Sequence, residues 1–142
     1  MTERVLVPHD GSPQAEAALA HALEEYPEDD VTVLHVIDPT DTGYSAGAML
    51  PDFSEQWYEH AKEAAESIFE AAAAQAADHA GGFDTARELG RPSRKIVDYA
   101  EEHDVDHVVI GSHGRTGVSR ILLGSVAETV ARRAPMPVTI VR

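Results

Sequence analysis

Five short apolar runs divide this 142-residue chain. They lie at 4–8 (RVLVP), 31–36 (VTVLHV), 83–89, 107–110 and 137–141. Each is too short for a helix and reads as a strand, the first as a buried one and 83–89 as the weakest. Between them apolar residues recur at helical spacing: Ala15, Ala18, Leu19, Ala22 and Leu23 before the second run, Ile96, Val97, Tyr99 and Ala100 before the fourth. Strands alternating with helices force parallel pairing, because each return to the same edge of a sheet takes a right-handed crossover. The expected fold is α/β: a single domain over residues 1–142, with a five-stranded, mostly parallel sheet and helices on both faces.

The boundaries carry their own signals. Ser12 is a helix cap with Pro13 at the first helical position, and Tyr26-Pro27 stops that helix. A long Ala-rich helix is expected over 53–80. Its inner stripe is Tyr58, Ala61, Ala65, Ile68 and Ala72, and its solvated acidic face is Glu55, Glu59, Glu63, Glu66 and Glu70. Gly81-Gly82 ends it, and Gly90-Arg91-Pro92-Ser93 turns into the next helix. Residues 37–52 read as a long loop with Pro39, Gly43, Gly47 and Pro51 and with Met49-Leu50 as apolar tips. It suits a functional lid or a plain connector.

The stretch 108–129, VVIGSHGRTGVSRILLGSVAET, holds the densest chemistry. A strand runs into a loop with glycines at 111, 114 and 117, and Gly124-Ser125 then opens a helix. Glycines admit close backbone approach and positive φ, and loop and helix-start N–H groups aim at negative charge. Charge follows the same division. Residues 1–110 carry 24 Asp/Glu against 6 Lys/Arg, a net of −18, whereas residues 111–142 carry five Arg against Glu128, a net of +4. Positive charge is thus concentrated where a phosphate-bearing ligand needs it. The plain alternative is a glycine-rich turn before a helix whose late Arg residues suit its dipole.

In parallel sheets ligands sit beyond the C-terminal strand ends, where strand order reverses. The loops after strand one (Pro8-His9-Asp10-Gly11) and strand four (Gly111 onward) should flank that crevice. Several nucleotide motifs are excluded. No G-x4-G-K-[ST] loop exists, and no G-x-G-x-x-G follows the first strand. A receiver domain would need an Asp closing strand three and a Lys closing strand five, where this chain has Glu88-Leu89-Gly90 and Arg142.

Composition narrows the partners. Cysteine is absent, which removes disulfides, thiol nucleophiles and thiolate metal sites. A net charge of −14 argues against nucleic acid and anionic membranes. The opening MTERVLVPHDG has no basic stretch followed by a long apolar one, and no apolar run approaches a bilayer span. A soluble, cytoplasmic protein is expected. The acids are spread along the chain and Arg outnumbers Lys nine to two, which suits a halophilic cytosol where salt screens the surface.

With these features in place the chain resembles the universal stress protein family along nearly its whole length. The matching blocks are VLVPHDGS, LHVID, GRPSRKIVDYAEEHDVDHVVIGSHG and RRAPMPVTIVR. The family's ATP-loop pattern G-x2-G-x9-G-[ST] is met by Gly111, Gly114, Gly124 and Ser125. The resemblance implies a Rossmann-like, adenine nucleotide alpha hydrolase-like fold, ATP as ligand, and a regulatory role in stress response. Position by position, Asp10 matches the acid near the ribose and phosphates, with Pro8 and His9 as neighbouring walls. Val36 matches the residue whose backbone meets adenine, and Ile110 and Gly111 close the base and ribose side. Gly114 and Arg115 lie over the phosphates, and Gly124, Ser125 and Val126 form the helix start that cradles them. His9 departs from the pattern, since relatives often carry Val, Thr or another small residue there. The resemblance also implies a homodimer through the terminal strand, whose edge invites pairing.

The residue chemistry leaves several roles. Ser125 can act as helix N-cap and phosphate donor, and Arg115 can add a charge-assisted contact. Asp10 can hold Mg²⁺ bound to the phosphates, or make an Asx turn ahead of Gly11. His113 can touch phosphate or face solvent. His35 reads as a core or crevice residue, and the other histidines lack metal-ligand spacing. No paired nucleophile and base are legible. An alternative is a slow ATP hydrolase or self-phosphorylating protein using Thr116, Ser119 or Ser125, with Asp10 or His113 as base. A third is a dimeric interaction protein whose nucleotide is incidental.

Overall fold

The computed structural model describes residues 2–40, 53–112 and 123–142. In chain order its elements are β1 (Arg4–Pro8), α1 (Pro13–Glu25), β2 (Asp30–Ile37), α2 (Phe53–Gln75), β3 (Phe83–Leu89), α3 (Pro92–Glu102), β4 (His107–Gly111), α4 (Ser125–Arg133) and β5 (Val138–Val141). The sheet order is β3-β2-β1-β4-β5. Every pairing is parallel, so the sheet is wholly rather than mostly so. Strand order reverses at β1, which places the switch point between β1 and β4.

The alternation of side chains along β1 divides the core. Val5 and Val7 face α1 and α2, packing with Ala18, Leu19, Ala22 and Ala72 and with Val31, Val33 and Val109 of the flanking strands. Leu6 faces α3 and α4, among Ile96, Val97, Ala100, Ala127 and Val130 with Leu34, Val108 and Ile110. Strands buried on both faces explain the near-continuous apolar runs read from sequence.

The register supplies the crevice. β1 and β2 stay paired to Pro8↔Leu34, but the paired register of β1 and β4 ends at Leu6↔Val108. Pro8 has no N–H to extend the ladder, so the hydrogen-bonded register of β1 with β4 stops short of the C-terminal end of β1.

Two expectations are corrected. α2 ends at Gln75 rather than near residue 80, its last turn closing through Ala76 N–H to the Ala72 carbonyl at 3.0 Å. Gly81 and Gly82 therefore do not terminate it. They lie against the chain before β2, where a Cβ at Gly81 would meet the Asp29 carbonyl oxygen at 2.2 Å and one at Gly82 would meet Asp30 Oδ1 at 2.4 Å. Close approach of backbone, not helix capping, demands glycine at position 81, whereas at Gly82 the Asp30 side chain can yield.

Candidate nucleotide crevice

Two helix starts meet the crevice, and they differ in kind. The β1–α1 turn consumes its own amides. His9 Nδ1 accepts from Gly11 N–H at 3.1 Å, Asp10 Oδ1 from Ser12 N–H at 3.0 Å, and Ser12 Oγ from Ala15 N–H at 3.1 Å. Gly11 sits at φ +87°, a conformation that favours glycine. The turn is thus shaped by residues 9–12 themselves, and Asp10 makes the Asx turn that was one of its two expected roles.

The start of α4 differs: among the described residues no side chain caps it. Its N-cap is Gly124, in extended conformation at φ −66°, ψ 156°, with no side-chain cap bond. Ser125 is the first helical residue, so its expected capping role is corrected: the cap falls one residue earlier, and the Ser125 side chain stands exposed in the first turn. The Gly124 N–H donates to the Ser112 carbonyl and the Ser112 N–H to the Val141 carbonyl, both at 2.7 Å. Backbone bonds thereby tie the start of α4 to the ends of β4 and β5, while the first-turn amides of Ser125, Val126 and Ala127 have no backbone partner among the described residues. Such amides carry the positive end of the helix dipole.

The remaining expected residues fall around these two starts. Pro8 and His9 are buried at the end of β1, and Ile110 and Gly111 are buried at the end of β4. A Cβ at Gly111 would lie 2.9 Å from the Gln14 backbone, so this glycine serves the packing of α1 on β4. Val36 is half-buried in β2 opposite Glu88, and with Val126 it packs on the α3–α4 face of the core. Gly114 and Arg115, with His113, Thr116 and Ser119, lie outside the described residues.

Two further residues support this region, of which His35 was read from the sequence as a core or crevice residue. Ser112, buried, is the backbone link between β5 and α4, and His35, also buried, bonds through Nδ1 to the His9 carbonyl at 2.8 Å. The alternation of β2 could have placed His35 on the same face as His9. Burial lowers the His9 pKa below the ordinary imidazole value, against the opposing charges of Asp10 and Glu16, and the nearby His35 lowers it further. Among the described residues no cluster of three or more His, Asp or Glu forms a metal cage. Asp10 alone suits Mg²⁺ only as a cation carried in by phosphates, which characteristically binds one or two carboxylates.

A doubly wound, wholly parallel sheet with its switch point between β1 and β4 defines the class as an α/β protein. The family model for the universal stress protein family matches residues 1–142. The chain is 33% identical over 143 residues to universal stress protein MJ0531 of Methanocaldococcus jannaschii, covering 99% of this chain and 82% of that one. The solved structure of MJ0577 from the same organism superimposes with a TM-score of 0.84 at 31% identity, covering 99% and 96% of the two chains. A universal stress protein solved in complex with cAMP gives a TM-score of 0.69 at 26% identity, covering 99% and 97%. The chain belongs to the universal stress protein family.

Proposed function

We propose that this protein is a nucleotide-binding regulatory module that holds ATP in the β1–β4 crevice. One observation carries the reading: the β1–β4 ladder ends at Leu6↔Val108 beside a helix start whose first-turn amides have no backbone partner among the described residues. The cAMP complex of a relative favours an adenine nucleotide as the ligand class. Phosphates go to the amides of Ser125 and Val126 and the hydroxyl of Ser125, with Gly114 and Arg115 as further contacts. The amides of Gly11, Ser12 and Ala15 are already taken, so Pro8, His9 and Asp10 form a wall rather than a cradle. Val36, Ile110 and Gly111 border the base and ribose. Mg²⁺ would enter with the phosphates, neutralise their charge, and take Asp10 as its protein carboxylate.

The module works in the cytoplasm, in a halophile's cytosol of high ionic strength, and as a homodimer. β5 is an edge strand of the sheet with half-buried residues, which suits pairing with a second copy. A monomer in sedimentation at micromolar concentration would contradict the dimer.

The site is tested by Gly124→Val and Gly114→Val with calorimetric titration of MgATP. The φ and ψ of Gly124 are open to any residue, so its substitution leaves the local backbone allowed. Expected is loss of binding by obstruction of phosphate approach; unchanged affinity refutes the assignment. Mass spectrometry of nucleotide released from protein purified without added ligand identifies the natural occupant.

A further inference from the structure

We propose that the Nε2–H of His9 is a preorganised hydrogen-bond donor to an oxygen of the nucleotide, a deepening that rests on the reading above. The tautomer follows from geometry. An amide N–H can only donate, so the 3.1 Å contact from Gly11 N–H requires a lone pair on His9 Nδ1. In the neutral imidazole the hydrogen then sits on Nε2.

The residue is also held still. Its N–H donates to the Leu34 carbonyl at 2.8 Å, its carbonyl accepts from His35 Nδ1 at 2.8 Å, and only 6% of its surface is exposed. Every other polar atom of His9 is thereby used. Nε2 has no partner among the described residues, yet it is not sealed in as His79 Nδ1 is. A nearly buried donor in the β1–α1 turn, with no acceptor among the described residues, is free to bond a bound ligand. A neutral N–H selects an acceptor atom without adding charge beside Asp10, and the oxygens of ribose and phosphate supply that chemistry.

Two substitutions separate the ring's two nitrogens. His9→Asn keeps an acceptor near the Nδ1 position for the Gly11 amide and leaves nothing at Nε2. His9→Gln reaches the Nε2 position with an amide donor. Titration calorimetry with MgATP, AMP and adenosine should show affinity falling about tenfold in His9→Asn, the size of one hydrogen bond, with recovery in His9→Gln and an unchanged melting temperature in His9→Asn. A loss extending to adenosine assigns the acceptor to ribose; a loss confined to AMP and MgATP assigns it to phosphate. ¹⁵N spectra of the ligand-free protein should show His9 as the Nε2–H tautomer, and an Nδ1–H pattern overturns the proposal. Unchanged affinity in His9→Asn overturns the role of His9 alone. Wild-type protein that binds none of the three ligands overturns the nucleotide reading and this donor with it.

Discussion

Gly124 and Ser112 are joined by a 2.7 Å backbone hydrogen bond, and through Ser112 the start of α4 is fastened to Val141 at the end of β5. The first-turn amides of α4 are therefore not a frayed helix end. They are held in register with the sheet on the side where the β1–β4 ladder has ended. Replacing Ser112 by Pro removes the N–H that reaches Val141. Urea denaturation should show a loss of about 3 kcal/mol or more, and a loss below about 1 kcal/mol would mean that this link does little.

Glycine at position 11 is required for two reasons, φ +87° and a Cβ contact of 3.3 Å with the Ile68 side chain. Gly11→Ala should cost roughly 1–2 kcal/mol, the usual penalty for an L-residue in this region. Gly81→Ala should cost more, since its Cβ would meet backbone rather than a side chain that can yield. Equal losses from the two would contradict the packing described at the end of α2.

Stability should fall on the acid side of neutrality in part through His9. Its folded pKa is lowered, chiefly by burial, so the unfolded chain binds a proton that the folded chain refuses. The contribution is intact above about 6.5, the unfolded imidazole value. It is lost as pH falls from there through the lowered folded value. Denaturation midpoints measured across this window should fall less steeply in His9→Gln than in wild type; parallel slopes would exclude His9 as a source.

Salt should stabilise the fold. Glu55, Glu59, Glu63, Glu66 and Glu70 are all exposed on α2. Among the described residues the ion pairs of that helix are Glu59–Lys62 at 3.0 Å and Glu66–Arg87 at 3.8 Å. Screening by added ions relieves the remaining repulsion. The thermal midpoint should rise between low and molar KCl, and a flat response would remove the basis for a halophilic reading.

The strands were legible because a parallel sheet buried on both faces leaves little choice of residue. RVLVP fits one environment, and β1 and β3 begin and end where the apolar runs do. α2 was overextended because Ala76 to Ala80 continue a helix-favouring composition, while the stop comes from packing against Asp29, a contact 50 residues away that no local signal carries. The glycine pattern pointed to the loop after β4, but not to which of the two helix starts lacks side-chain bonds among the described residues. That depends on whether side chains fold back onto their own turn, as His9, Asp10 and Ser12 do, and Gly124 cannot. His9 looked like a departure from the family pattern; its use became visible only with both ring nitrogens placed.

The position of β1 bears on how the chain is made. Val5 pairs with Val31 on one side and with His107 on the other, so the middle strand leaves the ribosome before either neighbour and acquires the second only once β4 has been synthesised. Until then a nascent β1–β2–β3 sheet shows a naked apolar flank. Folding to completion is thus gated by translation of β4, and a ribosome stalled before residue 107 would hold a species suited to chaperone capture.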